Sequence, residues 1–241
     1  LAPRLRGMVA SGESVVGGEL IARLPALEII SVLGVGYDGI DIAAAREHGV
    51  CVTHTPGLST EDIADFALAL LLAAAREVVN ADRFVRSGEW ASGRYPMTRR
   101  VSGARLGIVG LGRIGRAVAT RALAFGMDIA YTGRTPKADV PYRWCSDARS
   151  LAASVDFLVV CASGGEATRA LIDASVLEAL GPTGVLVNIA RGSIVDEDAL
   201  VQALQERRIL AAGLDVFCHE PQVTQGLLAL DNVVLTPHMA S

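Results

Sequence analysis

Little in this chain points to chemistry through disulfides or bound metal. Of its 241 residues only four are cysteines, Cys51, Cys145, Cys161 and Cys218, and no two are spaced as CxxC. That scatter argues against a zinc site and a disulfide framework. No metal is therefore expected, and the thiols are expected to be reduced, buried and cytoplasmic. Long apolar runs are lacking as well. The nearest, Phe66 to Ala75, has ten residues, about half of what a membrane-spanning helix needs. The opening Leu1-Ala2-Pro3-Arg4 does not read as a signal peptide. Basic excess is missing too: the net charge of −4 argues against a nucleic-acid or anionic-membrane partner. What the chain does have is apolar surface, at 51% hydrophobic residues, and glycine, at 25 residues. The first supplies a core; the second concentrates at turns.

One glycine cluster organises the rest. Apolar β-formers (Leu106 to Val109) lead into Gly110-Leu111-Gly112-Arg113-Ile114-Gly115, and a helical pattern follows at once. Gly110 permits a tight turn out of a strand. Gly112 lets a pyrophosphate approach the backbone, and Gly115 lets the helix pack closely on the strand. The first-turn N–H groups of that helix then face the phosphates. A glycine-rich turn with no ligand is the competing reading, and the strand before and helix after weigh against it.

Residues 1–55 alternate short apolar runs with helical patterns: strands at 7–10, 29–32 and 50–52, helices at 18–24 and 40–48. This reads as part of a small parallel α/β domain. Its loop Leu33-Gly34-Val35-Gly36-Tyr37-Asp38 follows a strand and is either an anion nest or an ordinary glycine turn. Thr55-Pro56-Gly57 is a turn and a candidate hinge. From Ile63 to about Arg86 one continuous buried helix is expected, and residues 87–105 read as a loop. From Arg105 strands and helices alternate strictly. Strands are expected at 108–109, 128–132, 156–161, 185–189, 211–215 and 233–235. Helices are expected at 113–125, 147–154, 173–180 and 196–207. Apolar strands with helices between them predict a doubly wound parallel sheet of the Rossmann type, covered on both faces. The expected domains are residues 1–55, a partial substrate domain, and residues 56–241, a dinucleotide-binding domain.

The second strand of such a domain selects the cofactor. An acidic residue at its end, about 20 residues past the glycines, bonds the ribose 2′-OH of NAD. Here the strand runs into Thr132-Gly133-Arg134-Thr135-Pro136-Lys137, with no carboxylate. Gly133, Arg134, Thr135 and Lys137 suit a 2′-phosphate, so NADP(H) is preferred, with NAD(H) also accommodated. A merely solvated Arg134 is the alternative.

Three ionisable residues follow the C-terminal ends of predicted strands: Arg191, Glu220 and His238. Ligands of an open α/β sheet lie at that edge. A guanidinium can hold a carboxylate and polarise a ketone. An imidazole can donate a proton as hydride arrives, and a carboxylate can orient it and favour its charged form. This set suits reduction of a 2-oxo acid. Singly, each has a duller reading: a helix-start residue, a surface turn and a loop histidine.

Four ordered blocks carry a resemblance. They are Gly110 to Gly115, Asn188 to Glu197, Gly213 to Phe217 through Glu220-Pro221, and Thr236-Pro237-His238. Together they resemble the D-isomer-specific 2-hydroxyacid dehydrogenases. Thr132-Gly133-Arg134 and Gly181 to Gly184 are most similar to the NADPH-preferring glyoxylate/hydroxypyruvate reductase branch. The resemblance implies a Rossmann domain plus a smaller flavodoxin-like α/β domain, truncated here at both ends, and a homodimer. It implies that Arg191, Glu220 and His238 are catalytic. It puts Val35, Gly36, Arg191 and His238 at the substrate. The cofactor residues are Gly110, Leu111, Gly112, Arg113, Ile114, Gly115, Gly133, Arg134, Thr135, Lys137, Ile189, Ala190 and Asp215. The implied reaction is NADPH-dependent reduction of glyoxylate or hydroxypyruvate to the D-2-hydroxy acid. Alternatives are an aryl 2-oxo acid reductase of the hydroxyphenylpyruvate type and a dinucleotide-sensing corepressor-like protein. Formate dehydrogenase, which has glutamine as the histidine's partner, is disfavoured by Glu220.

Overall fold

Short apolar segments, each closed off by Gly, Asp or Pro, fold here into two separate parallel sheets. The computed structural model describes residues 2–12 and 14–241, and the chain divides into units of residues 1–60 and 61–241.

The first unit contains β1 (Gly7–Ser11), α1 (Gly18–Ala22), β2 (Ile29–Leu33), α2 (Ile42–Glu47) and β3 (Cys51–Thr53). Its three strands lie parallel in the order β1-β2-β3. Ala10, Ile30 and Val32 join Ile21, Ala45 and Val50 in one small core. The Asp41 carboxylate accepts the Ala44 N–H at 2.9 Å and starts α2, as an N-cap residue does.

The second unit begins within α3 (Thr60–Ala75) and α4 (Val78–Arg86). It continues with β4 (Arg105–Val109), α5 (Arg113–Ala124), β5 (Asp128–Thr132), β6 (Arg143–Cys145), α6 (Ala148–Ala152) and β7 (Phe157–Val160). Then come α7 (Ala174–Leu180), β8 (Val185–Asn188), α8 (Glu197–Gln205), β9 (Ala211–Leu214), α9 (Gln225–Leu228) and β10 (Val233–Leu235). The seven strands are all parallel, in the order β10-β9-β8-β7-β4-β5-β6. Chain order reverses between β4 and β7. That is the switch point of a doubly wound fold, where ligands bind.

Alternate residues of each strand feed opposite faces. Leu106, Ile108, Phe157, Val159, Val185 and Val187 pack with α3 and α5 on one side. Leu158, Val160, Leu186, Ala212 and Leu214 pack with α6, α7 and α8 on the other. Helix starts are set by aspartates: Asp147, Asp173 and Asp196 accept N–H bonds from Ser150, Val176 and Ala199 at 2.7, 3.0 and 3.1 Å.

Three expectations need correction. The helix expected from Ile63 to Arg86 is two helices. Glu77 adopts a left-handed backbone, φ 51°, and its carboxylate accepts the Tyr95 hydroxyl at 2.8 Å. Eight of the α3 residues are buried and none of the α4 residues is, so the chain leaves the core at this joint. Arg76 and Glu77 are good helix formers; tertiary packing overrides them. The strand β6 was not foreseen. It is a three-residue edge strand with two of its residues exposed, too short to show a period. Finally, the cysteines are unpaired, but only Cys145 is buried; Cys51 and Cys218 are exposed and Cys161 is intermediate. Cys51 lies on β3, which is nowhere fully buried. Among the described residues, no helix is long and apolar enough to cross a membrane.

Candidate active site

The glycine cluster forms a cradle at the end of β4. Gly110 turns with φ +95°, and a Cβ there would lie 2.8 Å from the Ala162 backbone. Its N–H is held by the Thr132 carbonyl at 2.9 Å. A Cβ on Gly115 would come within 2.3 Å of the Gly110 carbonyl, so this residue fixes how closely α5 abuts the turn. Gly112 differs. Nothing lies within 4 Å of a Cβ built on it, and it starts α5 without any side-chain cap. Gly112 thus places no side chain over the first turn of a 12-residue helix, the kind of approach a pyrophosphate needs. Leu111 is buried behind the turn, while Arg113 is exposed and Ile114 half-buried. The residues present fit a dinucleotide.

At the end of β5 the chain presents Arg134, Thr135 and Lys137, all exposed, after a half-buried Gly133. The backbone beneath them is tied down. Lys137 N–H donates to the Tyr131 hydroxyl at 2.6 Å, and the Trp144 indole N–H donates to the Gly133 carbonyl at 3.3 Å. The first carboxylate in this loop, Asp139, pairs with Arg116 of α5 at 2.9 Å. The Arg116 hydrogen bond holds Asp139 below the ordinary carboxylate range.

Next to the cradle, Cys161 follows β7. Burial pushes its thiol up to about 12, which favours the protonated form over the thiolate.

Arg191 sits beyond β8. The buried Asn188 side chain builds its turn, accepting the Ala190 N–H at 3.1 Å and donating to the Arg191 carbonyl at 2.9 Å. Ile189 and Ala190 are buried in that turn. Arg191 Nη1 also donates to the Ala190 carbonyl at 2.7 Å.

Glu220 and His238 follow β9 and β10 and meet directly. His238 Nδ1 lies 2.7 Å from Glu220 Oε2, with the two side chains 23% and 22% exposed. The other Glu220 oxygen accepts the Phe217 N–H at 2.8 Å. Each of these loops is pinned by a buried carboxylate. Asp215, 0% exposed, accepts the Thr236 hydroxyl at 2.6 Å and the Met239 and Ala240 N–H groups at 3.0 and 2.9 Å. Its carbonyl accepts the His238 N–H at 2.8 Å. These bonds hold His238 in a left-handed backbone, φ 50°, a conformation that costs energy unless surroundings enforce it. Both Asp215 oxygens are engaged by this loop. Glu197, at the start of α8, accepts the Cys218 N–H and the Thr224 hydroxyl, both at 2.6 Å, bracketing Glu220.

The Arg191 turn and the Glu220 loop are locked together at Gly192. A Cβ there would lie 1.9 Å from the Phe217 carbonyl carbon. The structure thus brings Glu220 onto His238 and packs the Arg191 turn against the loop carrying Glu220.

A family model described as D-isomer specific 2-hydroxyacid dehydrogenase, NAD binding domain, matches residues 68–240. The chain belongs to this dehydrogenase family. Among its relatives, glyoxylate/hydroxypyruvate reductase A of Arabidopsis thaliana is 46% identical over 237 residues, covering 98% of this chain and 76% of the relative. A 2-ketogluconate reductase of Gluconobacter oxydans is 44% identical over 241 residues, 100% of this chain and 78% of the relative. Among solved structures, the NADPH-dependent glyoxylate/hydroxypyruvate reductase of Sinorhizobium meliloti, in complex with NADP and malonate, superposes with a TM-score of 0.95. It is 43% identical, with 99% of this chain and 75% of that chain covered.

Within this dehydrogenase, sequence reasoning passed over Asn188, Gly192 and Glu197. All three lie in the block around Arg191. Asn188 carried one usable signal, a polar residue ending an apolar strand before a turn. Glu197 read only as an acidic residue in a helix's first turn, and its downstream partners were invisible.

In the first unit, Val35 and Gly36 follow β2 in a braced loop. The Gly34 N–H donates to the Thr55 hydroxyl oxygen at 3.1 Å, and the Thr55 N–H donates to the Gly34 carbonyl at 3.0 Å. His54 Nδ1 contacts the Val35 carbonyl at 2.9 Å, and its ring meets Tyr37 edge-on at 4.9 Å.

Proposed function

We propose that this dehydrogenase reduces glyoxylate or hydroxypyruvate to the D-2-hydroxy acid with NADPH. The observation that carries the reading is the 2.7 Å contact of His238 with Glu220, on loops at the C-terminal edge of a dinucleotide-binding sheet. When bound, the reduced cofactor supplies a hydride to the carbonyl carbon. His238 donates a proton to the carbonyl oxygen, which takes up the electron pair of the C=O bond. Glu220 holds Nδ1, so that the proton to be given is on Nε2, and balances the imidazolium charge. Arg191 grips the substrate carboxylate and polarises the carbonyl. The Val35 and Gly36 backbone N–H groups are assigned to the same carboxylate. The cradle from Gly110 to Gly115 takes the pyrophosphate, and Ile189 and Ala190 line the cofactor's path. Gly133, Arg134, Thr135 and Lys137 take the 2′-phosphate, in keeping with the NADP held by the Sinorhizobium meliloti relative.

The test is a rate panel. Glyoxylate, hydroxypyruvate, 2-ketogluconate and hydroxyphenylpyruvate are offered with NADPH and with NADH. Fast NADPH oxidation with the first two is expected. A faster rate with hydroxyphenylpyruvate would move the substrate to the aryl class, and turnover with none would favour a dinucleotide sensor.

The working form is proposed to be a cytoplasmic homodimer. Unpaired thiols accord with a reducing compartment. Val78 and Val85 of α4 are each 53% exposed, Trp90 is 66% and Met97 is 100% exposed, apolar groups for a second copy to cover. Light scattering should give twice the chain mass, and Val85→Asp should give the monomer; a monomeric parent would reject the dimer.

A further inference from the structure

We infer that Tyr131 is a positioning residue for cofactor choice, fixing the loop from Gly133 to Lys137 so that its exposed cationic side chains meet a 2′-phosphate. The inference rests on the reading of Arg134, Thr135 and Lys137 given above.

Three tethers hold this loop. Two are exposed: the Arg116–Asp139 pair, with side chains 38% and 69% exposed, and the 3.3 Å bond from Trp144, whose residue is 37% exposed. The third is different. Tyr131 is 1% exposed, and its ring belongs to the core cluster with Val118, Ala119 and Ile129. Its hydroxyl reaches up from this core to accept the Lys137 N–H at 2.6 Å. A donor held by a rigid core group loses its freedom before any ligand arrives.

That timing matters for affinity. A flexible loop would have to be ordered when the cofactor binds, and the ordering cost would weaken the complex. Arg134 and Lys137 gain an anionic partner only when the cofactor carries the extra phosphate; NADH offers them ribose hydroxyls alone. Loosening the loop should therefore weaken NADPH and leave NADH almost untouched. A residue that merely supports the fold would affect both alike, because the two cofactors share the cradle from Gly110 to Gly115.

The experiment measures dissociation constants of NADPH and NADH by calorimetry for the parent, Tyr131→Phe and Trp144→Phe. Tyr131→Phe keeps the ring and removes one hydrogen-bond acceptor, so the fold should survive. The NADPH Kd is expected to rise about three- to tenfold, the size of one hydrogen bond, with the NADH Kd within twofold. Trp144→Phe should move NADPH in the same direction by less. Equal weakening of both cofactors, or no change in either, would overturn the inference. A parent that binds both cofactors equally would instead overturn the assignment of Arg134 to a phosphate, and the inference with it.

Discussion

The two parallel sheets of this chain follow different burial rules. In the seven-stranded sheet, β7, β8 and β9 are buried at every position, with a hydrophobic cluster on each face. In the three-stranded sheet, burial alternates along β1 and β2 over a single cluster. Val9 and Leu33 of that sheet are 80% and 72% exposed. The residue types hardly differ: Ile29-Ile30-Ser31-Val32-Leu33 is as apolar as Val185-Leu186-Val187-Asn188. An apolar run therefore does not by itself say which faces of its strand the described residues cover. All the proton-transfer residues argued above belong to the sheet covered on both faces, where the strand ends are held from two sides.

The polar clamps differ in the same sense. At the start of β7, Asp156 accepts bonds from the Arg105 side chain, the Arg105 N–H and Arg99, at 2.9 to 3.0 Å. The Arg105 hydrogen bond leads in holding this carboxyl down to about 2, from an ordinary 3.8. In the first unit, Arg6 and Glu28 pair at 2.8 Å with side chains 73% and 58% exposed, a setting in which ion pairs contribute little.

The contrast can be broken at four positions by chemical denaturation. Phe157→Ala empties a position that is 0% exposed between two covered faces, and should cost about 3–5 kcal/mol. A loss under 1 kcal/mol would mean the larger sheet is not close-packed. Asp156→Asn should cost about 2 kcal/mol at neutral pH. Because the folded carboxyl titrates below its unfolded value, that stability is complete above pH about 4 and disappears as pH falls through 2. The variant should therefore show a flatter acid limb than the parent, whereas Glu28→Gln should leave the limb in place. Val9→Thr, at a position 80% exposed, should change stability by less than about 0.5 kcal/mol. A large loss there would show that this position is covered after all.

Much of this was legible in the residues. Apolar runs broken by Gly and Asp marked every strand of the larger sheet except β6, and Asp147, Asp173 and Asp196 marked helix starts within one residue. The Gly110-x-Gly112-x-x-Gly115 spacing carried the cradle because Gly110 and Gly115 answer local steric demands and Gly112 leaves the helix start uncovered. What stayed hidden depends on distant partners. The break at Glu77 follows from where the core ends. The β6 strand exists because β5 offers it an edge. Glu197 matters through Cys218 and Thr224, more than 20 residues away. A pairing such as Glu220 with His238 could be posed from strand-end positions, but the 2.7 Å contact needed the fold.

The central claim is that His238, held by Glu220, gives the proton that completes reduction. Its most direct test is the steady-state rate of glyoxylate reduction by NADPH in parent and His238→Asn, a residue that tolerates the left-handed backbone at this position. Loss of a general acid should lower kcat by about 100- to 10,000-fold, while the NADPH Kd stays within twofold. A variant that keeps kcat within about threefold of an active parent would contradict the claim.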